Sequence, residues 1–290
     1  MKVRFAVSVG LGSPDPELLA VVVAGAEERG FDSIWFSDLT VLAGTDPFLA
    51  VSFAAAASHR LRLGVNLVPF GYQPFVFARQ VAELDQITAG RLLMTLVPGL
   101  DGADERAALG ISGQHRGRLL DALIPDLKSW WAGESVKVPD GQDAELRLAV
   151  LPRQNPLEVW LGGHGPEAVR RAGQLADGWL GSNVTPQAAG TIRAQIQEEA
   201  TKAGRTIDPE HFGLSIGYAR EDSDLGRASP LRRSTTGQIS VPVGVRQLRD
   251  LIGALIDQGL SKFVLRSVAP VLWWPDELNW LADVVFDLQT

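Results

Sequence analysis

The 290-residue chain contains no cysteine. This absence excludes disulfides, thiolate nucleophiles, cysteine-ligated zinc and iron–sulfur clusters. Histidine is scarce as well, because the chain has only His59, His115, His164 and His211, and no two of them are spaced as a pair of metal ligands. The formal net charge is -7, and the sequence contains no long run of basic residues. We therefore expect neither a metal site nor a nucleic-acid partner.

Long apolar runs are also missing. No stretch of about 18 apolar residues occurs, and the start MKVRFAVSVGLGSPDP has no apolar segment typical of a signal peptide. The sequence thus predicts a cytoplasmic protein that does not contact membranes. An apolar content of 46% over 290 residues is enough for a large core, and the length is typical of one barrel domain spanning residues 1–290.

Short apolar segments alternate with segments of helical periodicity along the whole chain. The predicted strands are Val3–Val9, Ser33–Ser37, Leu61–Val68, Arg91–Val97, Leu157–Leu161, Gly178–Leu180, Phe212–Tyr218 and Lys262–Ser267. Such short and largely apolar strands are typical of parallel sheets buried on both faces. The pattern predicts an α/β fold, a closed (β/α)8 TIM barrel. Loop insertions at its carboxyl-terminal face are expected at Pro98–His115 and at Arg220–Gly244, the latter as a flap.

The segment LEVWLGGHGPEAVRRAGQLADGWLGSN, residues 157–183, indicates an anion site. Gly162, Gly163, His164 and Gly165 follow the fifth predicted strand and precede Pro166, the expected first residue of a helix. Backbone N–H groups at a helix start carry partial positive charge, and glycines allow a phosphate to approach them. Ser182 and Asn183 follow the sixth strand and offer a hydroxyl and an amide. A tight turn without a ligand explains the glycines equally well.

Other polar residues stand where predicted strands end, which is where barrel enzymes bind substrates. They are Asp38 after the second strand, Asn66 and Leu67 in the third, and Gly99 after the fourth. Asp38 is either functional or a cap; His115, at the start of a helix, either contacts an anion or caps that helix. Trp35, near the end of the second strand, is expected to border the pocket. With so few acids and bases, the site favours chemistry performed by a cofactor.

Five segments carry a resemblance to a known family. They are AEERGFDSIWFSD, LRLGVNLVP, ARQVAELDQITAGRLL, VWLGGHGPEAVRRAGQLADGWLGS and GLSKFVLR, in this order. Together they resemble the bacterial luciferase-like flavin and deazaflavin oxidoreductases, and in particular the actinobacterial branch that uses coenzyme F420. The resemblance spans nearly the whole chain. It implies a (β/α)8 barrel, a cofactor phosphate on the turn after the fifth strand, a ring over the barrel mouth, and a homodimer.

The resemblance also implies roles for individual residues. Gly162, Gly163 and Gly165 match the phosphate and ribityl loop, and Ser182 matches a hydroxyl contact. Asn66-Leu67 matches a dipeptide that often forms a non-prolyl cis peptide under the ring, a bond that costs about 3–4 kcal/mol. Asp38 matches a carboxylate near the polar edge of the ring.

Two positions depart from the family pattern. Leu39 stands where many deazaflavin enzymes have histidine, and Leu100 stands where sugar-phosphate dehydrogenases have an acidic residue. The acid/base pair of those enzymes is therefore missing, and their reaction is not expected here. A proton must come from Asp38, His115, the flap or water.

The sequence thus predicts an F420-dependent oxidoreductase that moves a hydride between reduced deazaflavin and a small, hydrophobic organic substrate. The first alternative is an FMN-dependent monooxygenase that uses O2 and a separate flavin reductase. More remote alternatives are a non-redox barrel enzyme, such as an isomerase or aldolase, and a cofactor-binding protein without turnover.

Overall fold

The computed structural model describes residues 1–10, 15–42, 44–100, 102–138, 144–227 and 240–290. The strands are β1 (Arg4–Ser8), β2 (Ser33–Ser37), β3 (Arg62–Leu67), β4 (Leu92–Leu96), β5 (Val136–Lys137), β6 (Glu145–Leu146), β7 (Trp160–Leu161), β8 (Gly178–Ser182), β9 (Phe212–Tyr218) and β10 (Lys262–Ser267). The helices are α1 (Pro16–Arg29), α2 (Pro47–Ala57), α3 (Pro74–Ile87), α4 (Ala103–Ala108), α5 (Arg116–Trp131), α6 (Pro166–Leu175), α7 (Pro186–Lys202), α8 (Asp222–Arg227), α9 (Gly244–Asp257) and α10 (Trp274–Val285).

Eight strands form a closed parallel barrel in the order β1-β10-β9-β8-β7-β4-β3-β2. This arrangement confirms the predicted TIM barrel. Since strand–helix connections return each parallel strand to the same end, all eight carboxyl ends meet at one mouth. The short strands β5 and β6 pair antiparallel as a separate ribbon outside the barrel.

Two tryptophans fill the inside of the barrel. The Trp35 ring lies against Gly64 on the neighbouring strand, where a Cβ would be 2.1 Å from the indole, and Trp160 lies against Gly178 in the same way at 2.4 Å. The indole N–H of Trp35 donates to Ser33 Oγ at 3.0 Å. Trp35 is only 1% exposed, so it lies inside the barrel, and the expectation that it borders the pocket is wrong.

Charged residues close the amino-terminal end of the barrel. The ammonium group of Lys262, which is 3% exposed, forms an ion pair with the carboxylate of Asp32. Arg4 reaches the Asp32 carboxylate at 3.9 Å and that of Glu210 at 3.2 Å. This network lies opposite the mouth, which is typical of a stabilising rather than a catalytic role in a barrel.

The sequence marks the start of several outer helices with a capping side chain followed by proline. Asp15 accepts from the N–H groups of Glu17 and Leu18, and Asp46 caps α2 in the same way. Thr185 accepts from Ala188 N at 3.2 Å. These caps satisfy donors that a helix start leaves free. None of the helices described here is long and apolar enough to cross a membrane.

Three segments differ from the sequence-based expectation. The fifth barrel strand begins at Trp160 because Val159 N donates to the Asp177 carboxylate instead of a neighbouring strand. The loop after β4 contains the short helix α4, and the expected flap begins with the helix α8. The flap residues Arg232, Arg233, Ser234, Thr235 and Thr236 lie outside the described residues.

Candidate active site at the barrel mouth

Small polar side chains form the floor of the mouth. Ser37, Asn66 and Thr95 are in register on β2, β3 and β4, and they share the inward face with the buried tryptophan layer below. Asn66 Nδ2 donates to Ser37 Oγ at 3.0 Å. Ser182 and Ser215 are in register on β8 and β9 and continue this polar layer. The mouth therefore has a hydrogen-bonding floor above an apolar barrel interior.

An arginine on the last strand also faces the mouth. Arg266 is in register with Gly217, and one guanidinium nitrogen lies 3.4 Å from where a Cβ of Gly217 would be. Its strand neighbour Val264 belongs to the interior cluster, so the side chain of Arg266 is on the same inward face. The sequence interpretation missed this cation, because strand alternation alone does not show which face of a parallel strand lines a barrel.

Asp38 stands directly after β2 and is half-buried. Its backbone N–H donates to Asn66 O at 2.9 Å, and its carboxylate accepts from Val68 N and Thr40 Oγ1, both at 3.3 Å. Leu67 O accepts from Val97 N at 2.9 Å, which continues the same ladder towards Gly99. The structure thus brings together four of the candidate residues: Asp38, Asn66, Leu67 and Gly99.

The pKa of Asp38 lies above its ordinary value. Burial is the largest cause, and the negative charges of Asp46 and Glu105 act in the same direction. A carboxyl group with a raised pKa in a cleft is typical of functional sites, because it holds or releases a proton closer to neutral pH. Asp38 therefore has the chemical character expected of a proton-transfer group.

Glu105 is a second carboxylate at this site, and the sequence interpretation overlooked it. It lies on α4, is 2% exposed, and accepts from Leu100 N at 2.8 Å through Oε1. Its Oε2 has no hydrogen-bond partner among the described residues. Gly99, at φ +75, leaves the space that this side chain needs, because a Cβ there would be 2.3 Å from Oε1. In the sequence, Glu105 looks like any acidic residue of an exposed loop.

The loop after β4 is also held by Arg116. Its guanidinium donates to Pro98 O at 2.9 Å and to Gly99 O at 3.1 Å. Together with Glu105, this side chain satisfies backbone groups that the loop would otherwise leave without partners. The candidate Gly99 is therefore fixed from both sides.

The predicted cis peptide between Asn66 and Leu67 is not found. The cis bond of the described residues is Asn155-Pro156, so Asn66-Leu67 is trans and this prediction is wrong. Both residues belong to β3 and pair with Thr95 and Leu96 of β4. A regular ladder on this strand requires the trans form, and nothing in it compensates for the cost of a cis bond.

The glycine loop lies between β7 and α6, as the sequence predicts. Gly163 has φ +97, a conformation that favours glycine, and a Cβ there would lie 2.9 Å from Ala168 Cβ. Gly165 is the N-cap of α6, with no side-chain hydrogen bond to the helix, and a Cβ at this position would meet nothing within 4 Å. Unlike α1 and α2, this helix start leaves its first N–H groups open to a ligand.

The remaining candidates lie around this loop. His164 and Ser182 are exposed, and Asn183 has φ +57, a left-handed conformation that asparagine tolerates. Gly162 lies close to β4 and β8, since a Cβ there would be 3.5 Å from Val97 Cγ1 and 3.3 Å from Leu180 O. Val97, directly after β4, thus lies between the glycine loop and Leu67, because it is close to Gly162 and donates its N–H to Leu67 O.

His115 occupies the N-cap of α5. Its Nδ1 accepts from Arg118 N at 3.4 Å, and the ring is exposed. Of the two roles considered for this residue, the structure shows the capping one. A catalytic role for His115 stays a prediction.

Two cavities open at the mouth. One of about 310 Å³ lies at the ends of β2 and β3, where Asp38 and Tyr72 provide polar groups. Its apolar lining residues are Leu39, Leu42, Phe70 and Leu109. The other, of about 470 Å³, lies at the ends of β9 and β10 between Arg220, Trp273 and Trp280. The face that carries the candidate residues therefore has room for small organic molecules.

Comparison with known proteins agrees with this arrangement. Residues 2–228 match the luciferase-like monooxygenase family. A putative coenzyme F420-dependent oxidoreductase of Mycobacterium tuberculosis is 26% identical over 221 residues, which are 70% of this chain and 62% of that protein. The chain thus spans about three-fifths of the length of that relative.

Solved structures show the same fold. An F420-dependent secondary alcohol dehydrogenase in complex with an F420–acetone adduct superposes with a TM-score of 0.81 at 16% identity, over 100% of both chains. The oxygenating constituent of 3,6-diketocamphane monooxygenase from Pseudomonas putida, in complex with FMN, gives 0.77 at 14% identity, over 100% of this chain and 99% of that one. The family match covers most of the chain, and the closed barrel with polar residues at its mouth agrees with it. The chain therefore belongs to the luciferase-like monooxygenase family of oxidoreductases.

Proposed function

We propose that this protein is a coenzyme F420-dependent oxidoreductase that exchanges a hydride between the deazaflavin and a small, apolar organic molecule. The observation that carries the proposal is the open helix start at Gly162–Gly165, on the same barrel face as Asp38 and the apolar cavity beside it. The F420-dependent relative in sequence and the F420-dependent neighbour in structure support the choice of cofactor.

The residues of the glycine loop fit a phosphate group. Gly165 gives α6 no side-chain cap, so the N–H groups of Glu167 and Ala168 are open to a ligand. The helix dipole favours negative charge at this point. The loop presents no acidic side chain before Glu167, and the exposed His164 and Ser182 add further polar contacts. We infer that Gly162, Gly163, His164, Gly165, Ser182 and Asn183 hold the phosphate end of the cofactor.

When bound, the deazaflavin supplies or accepts the hydride, so the protein needs to orient the substrate and to move a proton. Asp38 lines the cavity of about 310 Å³, and its pKa, raised above the ordinary value by burial, suits a group that exchanges a proton with the substrate. Asn66, Leu67 and Gly99 lie beside it, and we infer that they contact the ring. The apolar lining from Leu39 to Leu109 favours a hydrophobic substrate.

The second candidate is an FMN-dependent monooxygenase that uses O2 and a separate flavin reductase. The same glycine loop accepts the FMN phosphate, and a structural neighbour with bound FMN supports this alternative. An aldolase or isomerase finds less support, since Lys262 is paired with Asp32 at the amino-terminal end of the barrel, away from the mouth.

We also propose that the chain forms a single domain, dimerises with a second copy and acts in the cytoplasm. Large apolar side chains are exposed on α2 and α3: Leu49 by 68%, Phe53 by 37% and Val76 by 43%. Burial of such side chains against an identical surface is the usual basis of a twofold dimer. Size-exclusion chromatography with light scattering tests the dimer directly.

The experiment that tests the function is an equilibrium titration of the purified protein with coenzyme F420 and, separately, with FMN, followed by fluorescence quenching. Micromolar binding of F420 and much weaker binding of FMN support the hydride-transfer proposal. Tight binding of FMN alone favours the monooxygenase. Binding of neither cofactor refutes both candidates, and a bound cofactor without turnover on any acceptor indicates a binding protein.

A further inference from the structure

The indole of Trp179 lies directly under the glycine loop. Trp179 is on β8, is fully buried at 0% exposure, and its Nε1 donates to Gly163 O at 2.8 Å. The ring extends along its own strand over Gly181, where a Cβ would be only 2.2 Å from the indole. Because Gly181 has no side chain, the indole can lie flat along the strand and reach the loop.

This hydrogen bond fixes the direction of one peptide group in the loop. In a planar trans peptide, the carbonyl and the following N–H point in opposite directions. The carbonyl of Gly163 points to the buried indole, so the N–H of His164 points away from the core, towards the exposed side of the loop. There it joins the N–H groups at the start of α6, which Gly165 leaves without a side-chain cap.

Gly163 needs such an anchor. At φ +97 it adopts a conformation from which a glycine can move to several others at small energetic cost. A rotation of the 163–164 peptide would present a carbonyl oxygen to an incoming anion in place of an N–H. We propose that Trp179 is a positioning residue for a phosphate at this loop, because its indole N–H holds the His164 N–H towards the ligand.

The proposal rests on the proposed function, since it requires a phosphate-bearing cofactor at the loop. Its test is the variant Trp179→Phe, which keeps an aromatic ring but removes the N–H donor. The affinity for FMN and for coenzyme F420 should fall on the order of tenfold, because the Gly163 carbonyl loses its partner and the donor array loses its order. The affinity for riboflavin, and for the deazaflavin riboside without phosphate, should stay unchanged.

The chain offers a matched control. Trp131 is 5% exposed, and its indole N–H donates to the backbone carbonyl of Ala78 at 2.9 Å on α3, away from the loop. Trp131→Phe therefore also loses a hydrogen bond from an indole N–H to a backbone carbonyl, without touching the glycine loop. The ratio of FMN to riboflavin affinity should match the wild-type ratio in Trp131→Phe and fall about tenfold in Trp179→Phe.

Two results overturn the role of Trp179 while the proposed function stands. One is an unchanged affinity ratio in Trp179→Phe when the wild type binds FMN or F420. The other is an equal loss of affinity for phosphate-bearing and phosphate-free ligands, which would show a general structural role. A wild type that binds none of the four ligands refutes the proposed function and this inference together.

A measurement on the wild-type protein decides the question if Trp179→Phe does not fold. Protein labelled with 15N at its eight tryptophan indoles gives one signal for each ring, and substitutions of the other tryptophans assign the signal of Trp179. FMN or F420 should shift that signal, whereas the phosphate-free ligands should leave it in place. A Trp179 signal that responds equally to both kinds of ligand overturns the inference.

Discussion

The open start of α6 allows a test in which stability and ligand affinity change in opposite directions. Gly165 is its N-cap, with φ -72 and ψ 158, an extended conformation that any residue adopts. A Cβ at this position meets nothing within 4 Å, so Gly165→Asp and Gly165→Asn both fit without strain. Both side chains are good N-caps, and they differ mainly in charge.

The expected magnitudes follow from capping and from Coulomb's law. Either side chain accepts from the open N–H groups of the first turn, which stabilises the protein by a few tenths of a kcal/mol to about 1 kcal/mol. A carboxylate about 5 Å from a bound phosphate repels each unit of its charge by roughly 1–3 kcal/mol. Gly165→Asp should therefore weaken the binding of a phosphate-bearing cofactor by about 5- to 150-fold. Gly165→Asn should weaken it much less.

The assay combines two measurements on the same three proteins. Thermal unfolding should show a melting temperature that is equal or up to about 2 °C higher in both variants. Fluorescence titration with FMN and riboflavin, and with F420, should show the large loss only for Gly165→Asp and only for ligands that carry phosphate. Raising the salt concentration should reduce the difference between the variants, because screening weakens charge repulsion at an exposed site.

Binding of FMN and F420 to Gly165→Asp as tight as to the wild type would refute a phosphate site at this helix start. A loss of riboflavin affinity as large as the loss of FMN affinity would refute it equally, since the effect would then not concern the phosphate.

Three further predictions concern the loop, the buried ion pair and the acidic group. Gly163→Ala should lower the free energy of unfolding by about 1–3 kcal/mol, measured by denaturant titration, because φ +97 strains any other residue and the methyl meets the first turn of α6. Burial raises the pKa of Asp32, but the charges of Lys262 and Arg62 and the hydrogen bonds from Lys262 and Ser33 together outweigh it, so the net pKa lies below the ordinary value. This carboxylate therefore stabilises the protein fully above about pH 4 and less as the pH falls through its folded pKa. Lys262→Met should lower the free energy of unfolding by about 3–5 kcal/mol at pH 7, and adding Asp32→Asn should restore most of that loss. Because the pKa of Asp38 is raised in the folded protein, its contribution to stability is full below about pH 4 and is lost as the pH rises. Asp38→Asn should therefore raise the melting temperature at pH 7 while lowering turnover. Glu105→Gln should move the acidic limb of the pH–rate profile to lower pH, because the charge of Glu105 raises the pKa of Asp38. An unmoved limb would show that Glu105 does not affect the titration of Asp38.

Several features of this protein could be read directly from its residues. Short apolar strands alternating with helices admit few arrangements, and eight such strand–helix units in one chain favour a closed parallel barrel over an open doubly wound sheet. The glycine loop and Pro166 form a local pattern, so the start of α6 was predictable from sequence neighbours alone. The positions of Asp38 and Ser182 at strand ends were likewise predictable from the short apolar segments that precede them.

The residues that hold the site in place depend on contacts between distant parts of the chain. Glu105 belongs to a short helix in a loop, and only the folded chain shows that its carboxylate turns inward to Leu100. The peptide between Asn66 and Leu67 is trans because β4 pairs with both residues, which no local sequence reveals. Trp179 on β8 reaches Gly163, in the loop after the neighbouring strand β7, over a glycine of its own strand that leaves room for the ring.

The sequence by itself determined the barrel, the end of the barrel at which the candidate residues lie and the position of the glycine loop before α6, because these depend on periodicity and on backbone preferences of neighbouring residues. Tertiary structure alone decided which side chains support that loop, how the pKa of Asp38 is shifted and where the cavities open. Those properties depend on burial and on distances between residues far apart in the chain, and both are defined only once the chain has folded.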